Sequence, residues 1–365
     1  EHDYQEPLLA CYSDITITKP GIFSTLLHLD PKMSAGPDRI PNVFLYRYAE
    51  WFSKYIYVIF NEILLSGVVS DDCKISKVTP LHKSGDKLSV KNYRPISLLC
   101  TAGKVLEHFI FKHLVTYLES NMFFTSNQHG FRRGFSTVTQ LIHTTNDISK
   151  VLDKGGQIDA IFLDFEKAFD RVPHSNLMLK IRNLVKNEKI TQWLDSYLSS
   201  RYQYVQIGDS ASHLSSVVSG VPQGSVLGPL LFIIYLNDLQ FDCPVRFRFF
   251  ADDCVVYPPI ESVNDQKVLN KYLTAVSNWC ADWNMSLNTT KCCQMTITCK
   301  KFPFQYAYQI NNVELEVFNE FKYLGVTMTS NLTWNKHIQI ITSSALGSVW
   351  LLRHRLQHCT SRTKT

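Results

Sequence analysis

Phe249-Phe250-Ala251-Asp252-Asp253 closes a largely apolar run that starts at Val245, and a second apolar run, Cys254 to Tyr257, follows at once. Two short β-favouring runs around a tight centre read as a β-hairpin whose turn carries the two acids. Folding alone gives no reason to set two aspartates side by side there. Charges this close repel, and each carboxylate gains by protonating or by finding a cation. A bound divalent metal is the usual reason to keep such a pair ionised.

A third acid belongs with them. Ile158 to Leu163 is an apolar, β-favouring run that ends in Asp164, with Phe165-Glu166-Lys167-Ala168-Phe169-Asp170 after it. A strand-end aspartate often just caps a turn, so Asp164 alone is weak evidence. If its strand neighbours the hairpin, the acids converge at one rim. That is a ligand set for two Mg²⁺ ions about 3.5–4 Å apart. Successive strand residues point to opposite faces, so Asp252 and Asp253 are expected to contribute unequally, with Asp252 the firmer ligand.

The chain has 365 residues, enough for two or three packed units, and a hydrophobic fraction of 45% supports a buried core. Net charge is only +5, but its distribution is uneven. Lys74 to Lys104 holds seven basic residues and one acid, Asp86, and no acid follows Glu320. Two basic stretches suit a phosphate backbone, although each also reads as a solvated face. Ten cysteines without a C-x-x-C pair point to free thiols in a reducing compartment. The longest apolar run, around Leu230 to Leu236, is far short of a membrane span. There is no starting Met, so the chain is expected to begin inside a longer protein.

Residues 32–41 read as a loop. Asn42 to Leu65 has helical spacing, with Phe44, Tyr48, Trp51, Tyr55, Ile59 and Ile63 as an expected core-facing stripe and Gly67 as the stop. Val78–Lys83 and Tyr93–Leu98 suggest a hairpin with a basic lining, in which Lys83 and Arg94 suit a polyphosphate. Further helices are expected over 102–118, after a cap at Ser136 or Thr137, over 175–186, 191–198 and 264–284, and from Trp334 to Leu356. Tyr204–Ile207 with His213–Val218 reads as another hairpin. Residues 219–229 hold three glycines and two prolines, a shaped loop whose glycines would let backbone approach a ligand, with Pro229 in the first turn of a helix running to Leu239. Lys291 stands at the entry to a strand over 292–297. Asn311-Asn312 reads as a tight turn, and Phe321 to Val326 as a short strand with a glycine break.

In order, Gly36-Pro37-Asp38, Asn92-Tyr93-Arg94-Pro95-Ile96-Ser97, Gln128-His129-Gly130-Phe131-Arg132, Phe162 to Asp170, Gly220-Val221-Pro222-Gln223-Gly224-Ser225, Phe250-Ala251-Asp252-Asp253, Lys291 and Phe321-Lys322-Tyr323-Leu324-Gly325 resemble the reverse transcriptase of non-LTR (LINE-type) retrotransposons. Each motif alone is weak to moderate, but eight in order are specific. The resemblance implies an α+β right-hand polymerase. Fingers would fall in 1–157, a palm on an antiparallel sheet flanked by helices in 158–328, and the start of a helical thumb in 329–365. It implies an RNA-directed DNA polymerase that adds dNTPs to a primer 3′-OH with two Mg²⁺ ions, Mn²⁺ being a possible substitute. Its partners would be template RNA, a DNA primer or target DNA, and dNTPs, with no membrane. A nuclear and cytoplasmic ribonucleoprotein is expected on the same ground.

By that resemblance Asp164, Asp252 and Asp253 are the catalytic carboxylates, and the Phe165 carbonyl joins the metal shell. Lys83 and Arg94 would grip the triphosphate, and Arg132 would help bind template or nucleotide. Phe169 would be a gate against the ribose 2′-OH, a selection by clash. Gln223 and Gly224 would line the nucleotide pocket, Lys291 would give a proton to pyrophosphate, and Phe321 to Gly325 would grip the primer. Three departures stand out: Arg39 after Pro-Asp, Phe250 where the family more often has Tyr, and Pro258-Pro259, which shortens the second strand of the hairpin. By the same resemblance the 365 residues are expected to hold neither the family's upstream endonuclease nor a full thumb, so target nicking and processive synthesis are not expected of them alone. A decayed copy that only binds RNA and an unrelated two-metal nuclease are the rivals. The triphosphate grip and the gate are superfluous for hydrolysis.

Overall fold

The computed structural model describes residues 12–240 and 245–357. In chain order the helices are α1 (Lys19–Leu27), α2 (Asn42–Arg47), α3 (Ala49–Ser66), α4 (Thr101–Ser120), α5 (Thr137–Leu152), α6 (Ala168–Arg171), α7 (His174–Leu184), α8 (Glu188–Leu198), α9 (Gly228–Leu236), α10 (Val263–Asp282) and α11 (Asn335–Arg355). The strands are β1 (Ile75–His82), β2 (Tyr93–Leu98), β3 (Gln157–Leu163), β4 (Arg201–Ile207), β5 (Ser210–Ala211), β6 (Ser215–Val217), β7 (Arg246–Phe250), β8 (Asp253–Tyr257), β9 (Cys293–Thr298), β10 (Gln309–Ile310), β11 (Val313–Glu314), β12 (Glu316–Val317), β13 (Glu320–Tyr323) and β14 (Val326–Thr329). This is a mixed helix-and-sheet fold in which antiparallel pairing dominates.

Two compact units share the chain. The first takes the described residues up to Arg133, those from Phe165 to 240, and Trp279–Ser286. The second takes Gly134–Asp164, the residues from 245 to Asn278, and the described residues from Leu287.

In the second unit the sheet runs β12-β9-β3-β8-β7. All seven residues of β3 are buried, as its near-continuous apolar run requires of a central strand. It pairs antiparallel with β8 on one side and β9 on the other. Phe162, Val255, Tyr257, Met295 and Ile297 form a core with Ile148 of α5. Ser136 caps α5 through a reciprocal box with Thr139. Asp147 of α5 receives Arg248 of β7 at 2.7 Å and the Tyr257 hydroxyl at 2.9 Å, which ties helix to sheet. Asp159, in the middle of β3, is 2% exposed. It accepts four hydrogen bonds, from Gln157 (3.0 Å), Gln266 (2.9 Å), Thr296 (3.0 Å) and Tyr308 (2.7 Å). A buried carboxylate needs such donors in full.

In the first unit β1 pairs antiparallel with β2 and parallel with β4. α9 is apolar all round and buried almost throughout, so the longest apolar run is a core helix. Among the described residues no helix is long and apolar enough to cross a membrane. Lys180 of α7 is buried, donates to Asp238 (2.5 Å) and to the Tyr235 carbonyl (2.7 Å), and lies 3.7 Å from the centre of the Trp283 ring. Burial pulls its ammonium down to about 8, with Asp238 opposing.

Three sequence expectations change. Residues 42–66 form two helices broken at Tyr48, and their aromatic stripe is not core: Phe44, Tyr48, Trp51, Tyr55 and Ile59 are all exposed. The buried face is Leu45, Ala49, Ser53, Ile56 and Phe60, against which α1 packs. α1 itself had no clear signal. Residues 321–326 are not one strand but the hairpin β13–β14, with Leu324 and Gly325 in its turn at φ 47° and 88°. The helix expected from Trp334 is present as α11, with Arg353, His354 and Arg355 in its last turn and no buried residue. The expected turn at Asn311-Asn312 is present, both residues having positive φ.

Candidate active site

The acids lie in the second unit. β7 and β8 form the hairpin, with Phe250 opposite Asp253 and only Ala251 and Asp252 between them. A two-residue hairpin loop of this hand needs positive φ at its first position, and Ala251 supplies it at 57°. For a residue with a Cβ that costs about 1–2 kcal/mol. Asp252 therefore sits in the turn, half-buried, and Asp253 opens β8 and is exposed. The strand alternation used to rank the two does not apply to a turn residue.

Register brings Asp164 to the same rim. The last β3–β8 pair is Leu163 with Cys254, so the next step sets Asp164 opposite Asp253. Asp164 is held by its backbone: its N–H donates to Cys292 Sγ (3.4 Å) and its carbonyl accepts from the Asn288 N–H (2.8 Å). Its carboxylate is left half-exposed, with Lys291 Nζ 3.7 Å from Oδ2. Lys291 is placed by the turn before β9, where its N–H donates to the Asn288 carbonyl at 2.9 Å.

These groups line one cleft of about 370 Å³. Asp164, Asp253 and Lys291 contribute to its wall, and Phe318, Glu320, Phe321, Lys322 and Tyr323 complete it. Asp252 does not line it. Along β13 alternation is clear: Phe321 stacks on Phe162 at 4.1 Å, buried Tyr323 accepts from Gln140 Nε2 at 3.1 Å, and Lys322 between them is exposed. The hairpin is thus anchored by two aromatic rings and presents a cation.

The remaining sequence candidates lie in the first unit. Lys83 follows β1, its N–H bonded to the Asn92 carbonyl at 2.8 Å, and Arg94 stands in β2 opposite Leu81. Both side chains are exposed. Phe165 is buried. Phe169 is half-buried and fixed on two sides, stacked on Phe232 at 4.2 Å and edge-on to Phe131 at 6.0 Å. Gln223 donates from Nε2 to Asp170 Oδ1 (2.9 Å), and its carbonyl accepts from the Ser97 N–H (2.7 Å).

The loop glycines meet protein. A Cβ on Gly224, at φ 121°, would lie 2.4 Å from the Ser97 carbonyl, and one on Gly220, at φ 88°, 2.6 Å from that of Asp170. Arg132 also differs from expectation. Its guanidinium forms a fork with Glu119 (2.9 and 2.7 Å) and donates to the carbonyls of Thr125 (2.8 Å) and Gln128 (3.3 Å). Four N–H bonds to protein leave it a structural clamp on the 119–132 turn.

Glu107 has no part in the motifs, yet it holds the 219–228 loop. It is 3% exposed and accepts from the N–H groups of Val226 (2.8 Å) and Leu227 (3.1 Å), just before α9. Burial raises its carboxyl pKa, with those amides opposing. The available signal was its place on the apolar face of α4, in step with Ile110, Leu114 and Leu118.

Among the described residues no three His, Cys, Asp or Glu side chains are gathered as a ready metal site. The donor chemistry nevertheless fits a hard cation. Two facing carboxylates, both reaching solvent, with a third in the adjoining turn, suit an ion that keeps waters and takes its other ligands from phosphates.

Comparison with known proteins adds to this. A family model for reverse transcriptase (RNA-dependent DNA polymerase) matches residues 81–328. A probable RNA-directed DNA polymerase from transposon BS of Drosophila melanogaster is 30% identical over 99% of this chain and 42% of its own length. The RNA-directed DNA polymerase from mobile element jockey of Drosophila funebris is 31% identical over 90% of this chain and 37% of its own. A probable RNA-directed DNA polymerase from transposon X-element of Drosophila melanogaster is 33% identical, over 88% and 36%. The chain therefore spans well under half the length of these curated relatives.

Proposed function

The chain belongs to the reverse transcriptase (RNA-dependent DNA polymerase) family of non-LTR retrotransposons, and on that premise we propose that it adds deoxynucleotides to a primer 3′-OH on an RNA template. The observation that carries the reading is the cleft in which Asp164 and Asp253, opposed across β3 and β8, share a wall with Lys291 and the β13–β14 hairpin. Phosphoryl transfer asks a protein mainly for positioning and charge neutralisation, and these groups are suited to both.

In this reading Asp164, Asp252 and Asp253, with the Phe165 carbonyl, hold two Mg²⁺ ions, or Mn²⁺ in their place. When bound, the ions lower the pKa of the attacking hydroxyl and neutralise charge on the leaving pyrophosphate. Lys83 and Arg94 bind the triphosphate. Phe169, wedged between Phe131 and Phe232, blocks a 2′-OH. Gln223 and Gly224 shape the nucleotide pocket, through a loop that Glu107 fixes. Lys291 gives a proton to the departing pyrophosphate. The Phe321–Gly325 turn and Lys322 hold the primer end. Arg132, which clamps the 119–132 turn, helps bind template or nucleotide. Fingers, palm and thumb take 1–157, 158–328 and 329–365, with template RNA, a DNA primer or target, and dNTPs as partners.

Primer extension on an RNA template with dNTPs and Mg²⁺ tests this. Wild-type protein extends the primer and Asp164→Ala does not. A folded wild type that binds template and primer but adds no nucleotide would refute the assignment, and cleavage without extension would move the chain to the nucleases.

A further inference from the structure

The Sγ of Cys100 donates a hydrogen bond to the Sγ of Cys73 at 3.2 Å. Both residues belong to the first unit. Cys73 lies in the single helical turn before β1. Cys100 is the N-cap of α4, where its sulphur also accepts from the Gly103 N–H at 3.3 Å. The β1–β2 hairpin separates them in sequence, so the fold brings them together. Gly103 makes the room: a Cβ there would stand 2.9 Å from the Cys100 sulphur and 3.3 Å from that of Cys73.

The two sulphurs line a cavity of about 290 Å³, walled by Ile59, Phe60, Leu106 and Trp193. Cys73 is partly exposed and Cys100 is buried. The bond from Cys100 pulls the Cys73 thiol below its ordinary value, against burial and the charges of Asp72 and Glu107, and the same bond raises Cys100. An accessible thiol with more thiolate character, beside a buried partner, is the arrangement of an attacking and a resolving cysteine.

We propose that Cys73 and Cys100 form a peroxide-reactive dithiol that closes reversibly to a disulfide, a modification site separate from the polymerase chemistry. The Cys73 thiolate attacks one oxygen of hydrogen peroxide. The O–O bond breaks, hydroxide leaves and is protonated to water, and Cys73 becomes a sulfenic acid. The Cys100 sulphur then attacks Cys73 Sγ. The S–O bond breaks, and the hydroxyl leaves as water with the Cys100 proton. In sum two thiols lose two electrons and two protons, and one peroxide becomes two waters. An S–S bond is about 2.05 Å long, so the sulphurs approach by just over an ångström.

The test needs no polymerase activity. The reduced full chain is titrated with hydrogen peroxide, remaining thiols are blocked with N-ethylmaleimide, and the protein is digested without reductant for mass spectrometry. The Cys73 and Cys100 peptides should appear joined, two hydrogens lighter than their sum, at peroxide doses below those that oxidise the exposed Cys299, and dithiothreitol should separate them. In Cys100→Ser, Cys73 should persist as a sulfenic acid that dimedone traps. Recovery of both residues as maleimide adducts at doses that oxidise Cys299 would overturn the proposal, as would Cys73 joined to another cysteine. A Cys73 left unlabelled by dimedone in Cys100→Ser would overturn its role as the attacking sulphur.

Discussion

Lys291 Nζ stands 3.7 Å from Asp164 Oδ2, and both side chains are largely open to solvent. An ion pair this exposed adds little to stability, about 0–1 kcal/mol. Its removal should show in chemistry, not in melting. Lys291→Ala is expected to keep the wild-type melting temperature within about two degrees. Single-turnover extension should fall about a hundredfold, the lower range for loss of a general acid, and Lys291→Arg should recover part of it. Equal extension rates for wild type and Lys291→Ala would remove the lysine from the mechanism.

Asp164 and Asp253, one step beyond the last β3–β8 pair and in one cleft, are like charges that Lys291 partly offsets when no metal is bound. Asp253→Asn removes that repulsion, so the variant should melt no lower than wild type in chelator. Millimolar Mg²⁺ should raise the melting temperature of wild type, because a cation that binds only the folded site stabilises it, and should raise the variant less. Differential scanning fluorimetry with and without EDTA reads both effects.

The Phe169 ring is fixed between Phe232 and Phe131. A rigid ring is a better steric gate than a mobile one. Phe169→Val should narrow the ratio of kcat/KM for dNTP over rNTP by at least tenfold, an effect of about 1.4 kcal/mol. Because the ring is half-buried, a loss of roughly 1–3 kcal/mol in stability should accompany it. Unchanged sugar discrimination in a folded variant would end the gate assignment.

Lys180 gives a pH dependence with a definite sign. Its folded pKa of about 8 is below the ordinary 10.5, so the folded state disfavours the ammonium. The penalty is in full force below pH 8. Between about 8 and 10.5 the unfolded chain holds the proton that the folded chain has released, and stability contributed by this group rises with pH. Urea midpoints at pH 7.5 and 9.5 should therefore differ between wild type and Lys180→Met, with the wild type gaining more, or losing less, on going up. Parallel behaviour of the two proteins would refute it.

The placement of the acids was legible because β-hairpins and buried strands leave local marks. The Asp252-Asp253 turn sits between two short apolar runs, and Asp164 ends a third, so pairing alone brings Asp164 opposite Asp253. The α3 face failed for a physical reason. Periodicity reveals an apolar stripe but not which side meets the protein, and here Ala49 and Ser53 let α1 approach closely while Trp51 and Tyr55 face solvent. Glu107 was missed, and the protein partners of Arg132 went unread, because a charged side chain in a sequence carries no label for burial. Their tasks, capping Val226 and Leu227 and clamping Glu119, depend on partners at sequence separations of 119 and 120 in the first case and 13 in the second.

β3 holds one aspartate and is followed by another, and the two have opposite fates. Asp159 is sealed in by four donors, from its own strand, β9, α10 and Tyr308, while Asp164 at the tip reaches solvent. On the proposed reading, a mutational screen scored only by activity would rank the two alike, since either loss would lower the product. Loss of Asp159 would act through four donors left without an acceptor in the sheet, and loss of Asp164, on the same reading, through a cation no longer held by an intact sheet. Soluble yield would tell a collapsed foundation from a blunted tool.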